Sequence, residues 1–395
     1  MTTAAPIYLD HAATAPLDPQ VAAAICECLR DPGLQGNAAS VHAPGRAAAV
    51  RVEQARAQVA RLVGAEPGSI VFTSGATESV NLAILGAARA AGANLHHLVT
   101  ARTEHRAALD ACRQLEREGF AVSWLATGSD GSADPAQVAS ALRPGTALVS
   151  LMHANNETGV INDIAAVGQL CLERGVTFHV DAAQSAGKLP IDVQAMNVAL
   201  LSFCAHKLGG PKGIGALYVR HRPRPALQPL QFGGGHERGL RAGSLATHQI
   251  VGFGVACELA LTRLADDAAR VRALRERLWA GLQAAAPVER NGGTEPGLPG
   301  ILNVRFPGIE GESLLLSLDG RLAASSGSAC SSASAEPSYV LRALGLSDLA
   351  AQASLRLSLG RATTGEEVDR AAALLVASVN RLRALLPAGA IERIA

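Results

Sequence analysis

The sequence is short of aromatic residues and of charge, and it lacks long apolar runs. Aromatic residues make up 3% and charged residues 17% of its 395 residues, with a formal net charge of +1. This near-neutral balance argues against a nucleic acid or an anionic membrane as a partner held by electrostatics. No stretch approaches the length of a membrane-spanning helix. The N-terminal segment MTTAAPIYLDHAAT lacks the order of basic then apolar residues that is typical of a signal peptide.

Cysteine is sparse as well. The seven cysteines are scattered and none shares C-x-x-C spacing with another. This pattern argues against a disulfide framework or a zinc site and predicts a protein of the reducing cytoplasm. By contrast, 48% of the residues are apolar. A chain of this length and composition can bury a large core in two or three domains, or in one large domain with a satellite.

Short apolar runs alternate with helical stretches over the first two thirds of the chain. The runs are nearly continuous, as in strands buried on both faces. They lie at 70–73, 98–100, 121–125, 147–152, 177–181, 200–204 and 215–219. Segments such as 78–91 and 164–174 have helical length and spacing. The alternation predicts an α/β fold with a mainly parallel central sheet and helices on both faces. Ligands of such sheets bind at the carboxyl ends of the strands.

The pattern changes after about residue 260. Residues 261–285 predict one long charged helix, 291–300 a Gly/Pro-rich turn followed by short strands, and 366–385 a final helix. We interpret this part as a smaller α+β C-terminal domain. The predicted division assigns 16–260 to the large domain, and 1–15 together with 261–395 to the small one.

Two charged residues close two of the predicted strands. Asp181 ends an apolar run, where a carboxylate is costly unless it is paired. It suits a helix N-cap as well as a partner for a cationic ring nitrogen. Lys207 precedes a Gly/Pro-rich turn, where a lysine can lose its proton and attack a carbonyl, although an exposed loop lysine is the commoner case. The two residues together match what a pyridoxal phosphate (PLP) enzyme needs for the aldehyde and the pyridinium nitrogen.

Other strand ends carry weaker signals. The turn SGATES leads into a helix whose first N–H groups suit a phosphate, and Thr77 adds a hydroxyl. His105 would stack on a flat ring or move protons, although a solvated or capping histidine is more common. Asn156 is placed to donate to a ring or a substrate, and Gln184 to a ring substituent.

The case becomes specific through resemblance to a known family. Nine segments between Tyr8 and Leu346 resemble, in order, the class V aminotransferase family, and more closely the cysteine desulfurases of the IscS/NifS type. They are YLDHAAT, FTSGATES, TEH, NNETG, HVDAAQSAGKLPID, SFCAHK, GPKGIGALYVR, GGGHERGLRAGS and SSGSACSSASAEPSYVLRALGL. The resemblance implies a PLP-dependent transferase of fold type I. The last segment distinguishes a desulfurase from related enzymes.

The resemblance implies a role for each matching residue around the ring. Lys207 would form the Schiff base with PLP, Asp181 would hold the pyridinium nitrogen and Gln184 the ring hydroxyl. His105 would stack on the ring and shuttle protons, and Asn156 would assist at the ring and the substrate.

The resemblance also implies residues for the phosphate and for the substrate carboxylate. The phosphate site would be lined by Ala76, Thr77, Cys204 and His206, and completed by Ser244 from the partner subunit of a homodimer. Cys204 stands where many relatives have serine, and Ser244 replaces the commoner threonine. Arg356 would grip the substrate carboxylate, a task suited to guanidinium.

Cys330 lies in residues 325–338, which contain seven serines and no large apolar side chain. Such a segment cannot bury itself, and we expect a mobile loop in which a structural cysteine has no place. The resemblance implies that L-cysteine is converted to L-alanine. Lys207 would remove the α-proton, and the Cys330 thiolate, deprotonated with help from His105, would attack the substrate sulfur and become a persulfide.

Alternatives remain at this point. A selenocysteine lyase or another PLP lyase of the same fold would share most of these residues. A catalytically silent regulatory protein is a third reading, against which the complete residue set argues. The sulfur acceptor is open among an iron–sulfur scaffold, a tRNA-thiolation relay and a cofactor-sulfuration protein. The C-terminus lacks the aromatic-containing tail with which many relatives engage a scaffold, and Cys330 is a candidate transient iron–sulfur ligand shared with such a scaffold.

Overall fold

A large mixed sheet forms the centre of the protein. The structure, a computed structural model, describes residues 6–92, 94–293, 297–318, 320–326 and 336–386. The sheet has seven strands, which are β2 (Ile70–Thr73), β3 (His97–Ala101), β4 (Ala121–Leu125), β5 (Thr146–Met152), β6 (Thr177–Asp181), β7 (Leu200–Cys204) and β8 (Gly215–Val219). Their order across the sheet is β2-β8-β7-β6-β5-β3-β4. The neighbours from β7 to β4 are parallel, whereas β8 is antiparallel to both β7 and β2.

The predicted strands of this sheet are confirmed. Five of the seven have the predicted bounds, and β3 and β5 are extended by one or two residues. Six strands are buried along most or all of their length, while β4 at the edge is partly exposed. Nearly continuous apolar runs are therefore the consequence of a sheet covered on both faces.

Helices cover the two faces of the sheet. The helices of this part are α1 (Pro19–Arg30), α2 (Ala43–Leu62), α3 (Ala76–Ala90), α4 (Arg106–Arg117), α5 (Pro135–Ala141), α6 (Ile164–Glu173) and α7 (Thr247–Thr262). One apolar core joins α2, α6 and α7 to one face, and a second core joins α3 and α4 to the other. The predicted α/β architecture with helices on both faces is confirmed.

A smaller sheet lies in the C-terminal part, with strands β9 (Glu289–Arg290), β10 (Ile301–Arg305), β12 (Ser325–Ser326) and β13 (Ser354–Ser358). Its order is β12-β13-β10-β9, and the described pairs are antiparallel. The helices of this part are α8 (Leu264–Leu282), α9 (Gly311–Ser317), α10 (Tyr339–Ala343), α11 (Asp348–Gln352) and α12 (Gly365–Arg383). N-terminal strand β1 (Ile7–Tyr8) pairs in parallel with β11 (Leu322–Ala323), and Ile7 and Leu9 enter the core of this part. The predicted division at residues 15 and 260 stays a prediction.

The prediction of one helix over 261–285 is wrong at its start. The chain leaves helical geometry at Arg263, where α7 ends and α8 begins. Phe253 and Cys257 of α7 pack into a core of the large sheet, whereas Val271 and Leu278 of α8 pack into the core of the small sheet. The apolar faces of α7 and α8 pack into different cores, so the helix is interrupted between them.

Candidate active site

A cavity of about 480 Å³ opens at the carboxyl ends of the central strands. The structure brings nine of the predicted site residues to its wall, which are Ala76, Thr77, His105, Asn156, Asp181, Gln184, Cys204, His206 and Lys207. Residues from the ends of β2, β3, β5, β6 and β7 therefore meet at one edge, as expected for a sheet of parallel strands.

The turn between β2 and α3 forms one end of this cavity. Gly75 is the N-cap of α3 and has no side chain to occupy the first N–H groups of the helix. Glu78 Oε2 accepts a hydrogen bond from Ser74 N at 2.6 Å, which fixes the turn from the side. A Cβ atom at Gly215 would lie 2.7 Å from the backbone of Gly75, so β8 supports the turn by backbone contact. The result is an open helix N-terminus that faces the cavity, a geometry that suits an anion.

Asp181 and Gln184 hold the middle of the cavity. Asp181 is 5% exposed, and its Oδ1 accepts the Ala183 amide at 2.9 Å. The Gln184 amide is oriented by two contacts: Nε2 donates to the Ala12 carbonyl at 2.8 Å, and Oε1 accepts from Lys188 Nζ at 3.3 Å. These contacts leave one N–H of Gln184 for a ligand.

The three lysines of the sequence, Lys188, Lys207 and Lys212, all lie at this site. Lys207 and Lys212 line the cavity, while Lys188 lines a neighbouring cavity that Lys207 also reaches. Burial, reinforced by the charge of Lys207, lowers the pKa of Lys188 to about 7. The other 32 residues of the Lys and Arg total are arginine, so every lysine amine of the sequence lies at or beside this cavity.

His206 and Cys204 follow β7 beside the lysines. Burial and then the three lysines lower the pKa of His206 to about 4, and its Nδ1 lies 3.2 Å from Thr14 Oγ1. Burial raises the pKa of the Cys204 thiol. Both residues are therefore uncharged, and they add polar atoms to the cavity wall beside the lysines.

His105 is both a helix cap and a member of the cavity wall. Its Nδ1 accepts the Ala107 amide at 3.2 Å as the N-cap of α4. Burial lowers the pKa of His105, and the lowering by Lys207 is opposed by Asp181. The ring is thus neutral with its proton on Nε2, because Nδ1 is used as an acceptor. The capping interaction is therefore observed, whereas the role of His105 at a ring or in proton transfer stays a prediction.

Two predicted residues that the structure describes, Arg356 and Ser244, lie apart from this cavity wall. Arg356 is buried in β13, and its guanidinium donates to Asp10 Oδ1 at 2.8 Å, Ser325 Oγ at 2.9 Å and the Asn156 carbonyl at 3.1 Å. Ser244 is exposed on its own chain and is not in the wall. Cys330 lies outside the described residues, as does most of the predicted loop at 325–338.

Sequence reasoning passed over Thr14, Lys188 and Lys212, which line these two cavities. Each lies inside a segment that resembles the family, so the signal was present. Among the described residues, no three His, Cys, Asp or Glu side chains cluster as metal ligands. The helices of the described chain are all too short or too polar to span a bilayer.

Known proteins match this chain over nearly its whole length. The profile of the family described as aminotransferase class V matches residues 7–371. Cysteine desulfurases IscS of Shewanella sediminis and of Photorhabdus laumondii are each 55% identical over 383 residues, covering 97% of this chain and 95% of the relative. A solved NifS-like protein is 33% identical with a TM-score of 0.88, covering 96% of this chain and 100% of that one. A structure of SspA in complex with cysteine is 37% identical with a TM-score of 0.79, covering 90% and 99%.

Proposed function

We propose a function from one established premise: the chain belongs to the aminotransferase class V family. The function is that of a PLP-dependent cysteine desulfurase, which converts L-cysteine to L-alanine and passes sulfur to an acceptor through Cys330. The observation that carries the proposal is the cavity in which Lys207 and Asp181 meet beside an open helix N-terminus. The relatives named cysteine desulfurase cover nearly the same length and support it.

The donor set of the cavity fits the functional groups of PLP. Lys207 would hold the aldehyde and Asp181 the ring nitrogen. Gln184 keeps one N–H for the ring hydroxyl after its contacts with Ala12 and Lys188. The start of α3 and the cluster of lysines suit the phosphate, with Thr77 and His206 as polar contacts. When bound, PLP supplies an electron sink for the charge that develops at the substrate α-carbon.

Two residues would move the protons, Lys207 as an acceptor and His105 as a donor. Lys207 Nζ would take the α-proton, since it lines the cavity that would hold the cofactor and the substrate. His105 carries its proton on Nε2 while Nδ1 caps α4. It is therefore suited to donate a proton to the β-carbon that becomes the methyl group of alanine. In this proposal, donation at the β-carbon is one part of the proton shuttling that the resemblance implies for His105.

The sulfur step uses Cys330. The Cys330 thiol loses its proton, and its sulfur bonds to the substrate sulfur. The bond between that sulfur and the β-carbon breaks, and the β-carbon takes up one proton. The β-carbon is thereby reduced to a methyl group, while the sulfur remains on Cys330 as a persulfide. Lys207 would return a proton to the α-carbon to complete alanine, and the proton lost by the thiol balances the proton gained by the β-carbon. Arg356 would bind the carboxylate through the part of its guanidinium nearest Asn156.

The wider assignments belong to the same proposal. The enzyme would be a homodimer in which Ser244, exposed on its own chain, completes the phosphate site of the partner. Its domains would divide at residues 15 and 260, and it would work in the cytoplasm. The relatives named IscS support iron–sulfur cluster assembly as the destination of the sulfur. We place tRNA thiolation second.

The test is the substitution Cys330→Ala, with Cys26→Ala as the matched control because Cys26 is an exposed cysteine on α1. We expect Cys330→Ala to bind PLP normally, to lose alanine formation and to show no mass gain of one sulfur atom after exposure to L-cysteine. The control variant should bind PLP, form alanine and gain the mass of one sulfur atom, like the wild-type protein. Alanine formation by Cys330→Ala at the wild-type rate would overturn the assignment.

A further inference from the structure

Strand β2 is an edge of the central sheet, and side chains stand where a neighbouring strand would be. Within the described residues β2 pairs with β8 on one side. On the other side, the Ile70 carbonyl accepts from Arg56 Nη1 at 3.0 Å and from Arg238 Nη2 at 2.6 Å. The Phe72 amide donates to Glu237 Oε2 at 2.7 Å. Two outward backbone groups of the strand are thus satisfied by charged side chains.

The cluster is a buried ion pair with close geometry. Arg56 Nη1 and Nη2 each donate to one carboxylate oxygen of Glu237 at 2.8 Å, and the two residues are 4% and 7% exposed. The guanidinium also lies 4.5 Å from the ring centroid of Phe72. Because burying two charges costs about as much free energy as their attraction returns, global stability alone does not account for such a pair.

The backbone that carries Glu237 is strained. Glu237 and Arg238 have φ values of 48° and 57°, in the left-handed region that disfavours residues with a side chain. This conformation lets consecutive residues direct both side chains at β2. Strain of this kind persists where the surroundings enforce it, and it marks positions with a specific task.

The position of β2 in the chain suggests that task. The strand leads directly into the Ser74–Gly75 turn and α3, the proposed phosphate site. Three residues beyond Arg238, Arg241 Nε donates to Glu78 Oε1 at 2.9 Å, and Glu78 Oε2 accepts from Ser74 N at 2.6 Å. The segment 237–241 therefore holds β2 before the turn and the first helical turn after it.

We propose that Arg56 and Glu237 are positioning residues that fix the anion-binding turn, so that the affinity for the phosphate end of the cofactor depends on them. The inference rests on the proposed function. Neither side chain lines the cavity. They act through the backbone of β2, which they hold in place against β8.

The experiment compares Arg56→Met, the double variant Arg56→Met/Glu237→Met, and Arg275→Met. Arg275 is a matched control because it is also 4% exposed and donates to a backbone carbonyl, that of Leu298, in the C-terminal part. PLP binding to each apo-protein is titrated by visible absorbance, and thermal unfolding is followed in parallel. The two readouts separate affinity from stability.

We expect the dissociation constant for PLP to rise about tenfold or more in both Arg56 variants. The double variant should regain stability relative to Arg56→Met, since no charge is left buried alone. Its affinity should stay low, because the Phe72 amide lacks its partner and the Ile70 carbonyl keeps only the hydrogen bond from Arg238. Arg275→Met should lose stability and keep its affinity. Wild-type affinity in a folded double variant would overturn the inference.

Inorganic phosphate serves as a second probe. It should compete with PLP for the wild-type apo-protein and compete more weakly for the Arg56 variants. If the core variants do not fold, Arg241→Met removes the partly exposed contact to Glu78 instead and should raise the dissociation constant about threefold or more. An unchanged constant there would also overturn the inference. Failure of the wild-type protein to bind PLP would reject the proposed function itself, a different result.

Discussion

The cavity at the strand ends and the arginine of the small sheet are built in opposite ways. Asp181 and His105 each follow or end a strand, and each accepts a hydrogen bond from an amide two residues further along the chain. Arg356 lies in the middle of β13, and its partners Asp10 and Asn156 are 346 and 200 residues away in sequence. The first group is positioned locally, and the second by contacts between distant segments.

This difference predicts different consequences of substitution. A side chain that projects from a locally fixed backbone can be removed with little effect on its neighbours. Removing the guanidinium of Arg356 leaves Asp10 without its ion pair and releases contacts to Ser325 and Asn156. Substitutions at the strand ends should therefore change activity with little change in stability. A substitution at position 356 should change both.

The largest effect is expected for Lys207→Ala, which tests the first half of the comparison. The rate of alanine formation should fall by about 10⁴-fold or more, because the residue that would hold the cofactor and move the α-proton is gone. The visible absorbance of the purified protein should be lost as well. Thermal unfolding of the apo-protein should change little. Turnover that survived this substitution would show that the strand ends do not carry the chemistry.

Substitution of Arg356 is expected to have a smaller effect, which falls on both substrate binding and stability. Arg356→Gln should raise the KM for L-cysteine about 100-fold and lower the free energy of unfolding by about 2 kcal/mol, because the partly buried carboxylate of Asp10 loses its partner. Asp10→Asn is the matched variant, since it keeps an acceptor for the guanidinium and should affect KM less. Steady-state kinetics and urea unfolding measure both quantities. A change in KM with unaltered stability would contradict the comparison, because Arg356 would then behave like the locally positioned residues at the strand ends.

The same contrast explains what could be predicted from the sequence. Strand bounds such as those of β6 and β7 were accessible because burial on both faces makes the apolar runs continuous. Lys207 and Asp181 were accessible because they end such runs. The pairing of Arg56 with Glu237 was not, because the two residues are 181 positions apart and neither lies in a pattern that specifies the other. The break at Arg263 was missed because the helical pattern continues through it while the core it faces changes.

Two histidines on strands of the central sheet extend the comparison to side chains held between neighbouring strands. His179 on β6 lies between hydroxyls of both neighbouring strands, with its ring nitrogens 2.9 Å from Ser150 Oγ and from Ser202 Oγ. His97 on β3 is held likewise by Thr146 at 2.8 Å and Ser123 at 2.9 Å. Burial lowers the pKa of His179 to about 3, and burial together with Arg143 lowers that of His97 to about 4.

Both histidines should make the protein sensitive to acid to a similar degree. Their pKa values are lower in the folded state than the ordinary 6.5, so protons bind preferentially to the unfolded chain. Stability is thus complete above pH 6.5 and declines as the pH falls toward the folded pKa. Between pH 7 and 4.5 each histidine should cost about 2.5 kcal/mol of unfolding free energy. His179→Gln and His97→Gln should each flatten the decline by that amount in urea unfolding, although one lies mid-sheet and the other near the edge. A decline that kept its full slope in either variant would assign the acid sensitivity elsewhere.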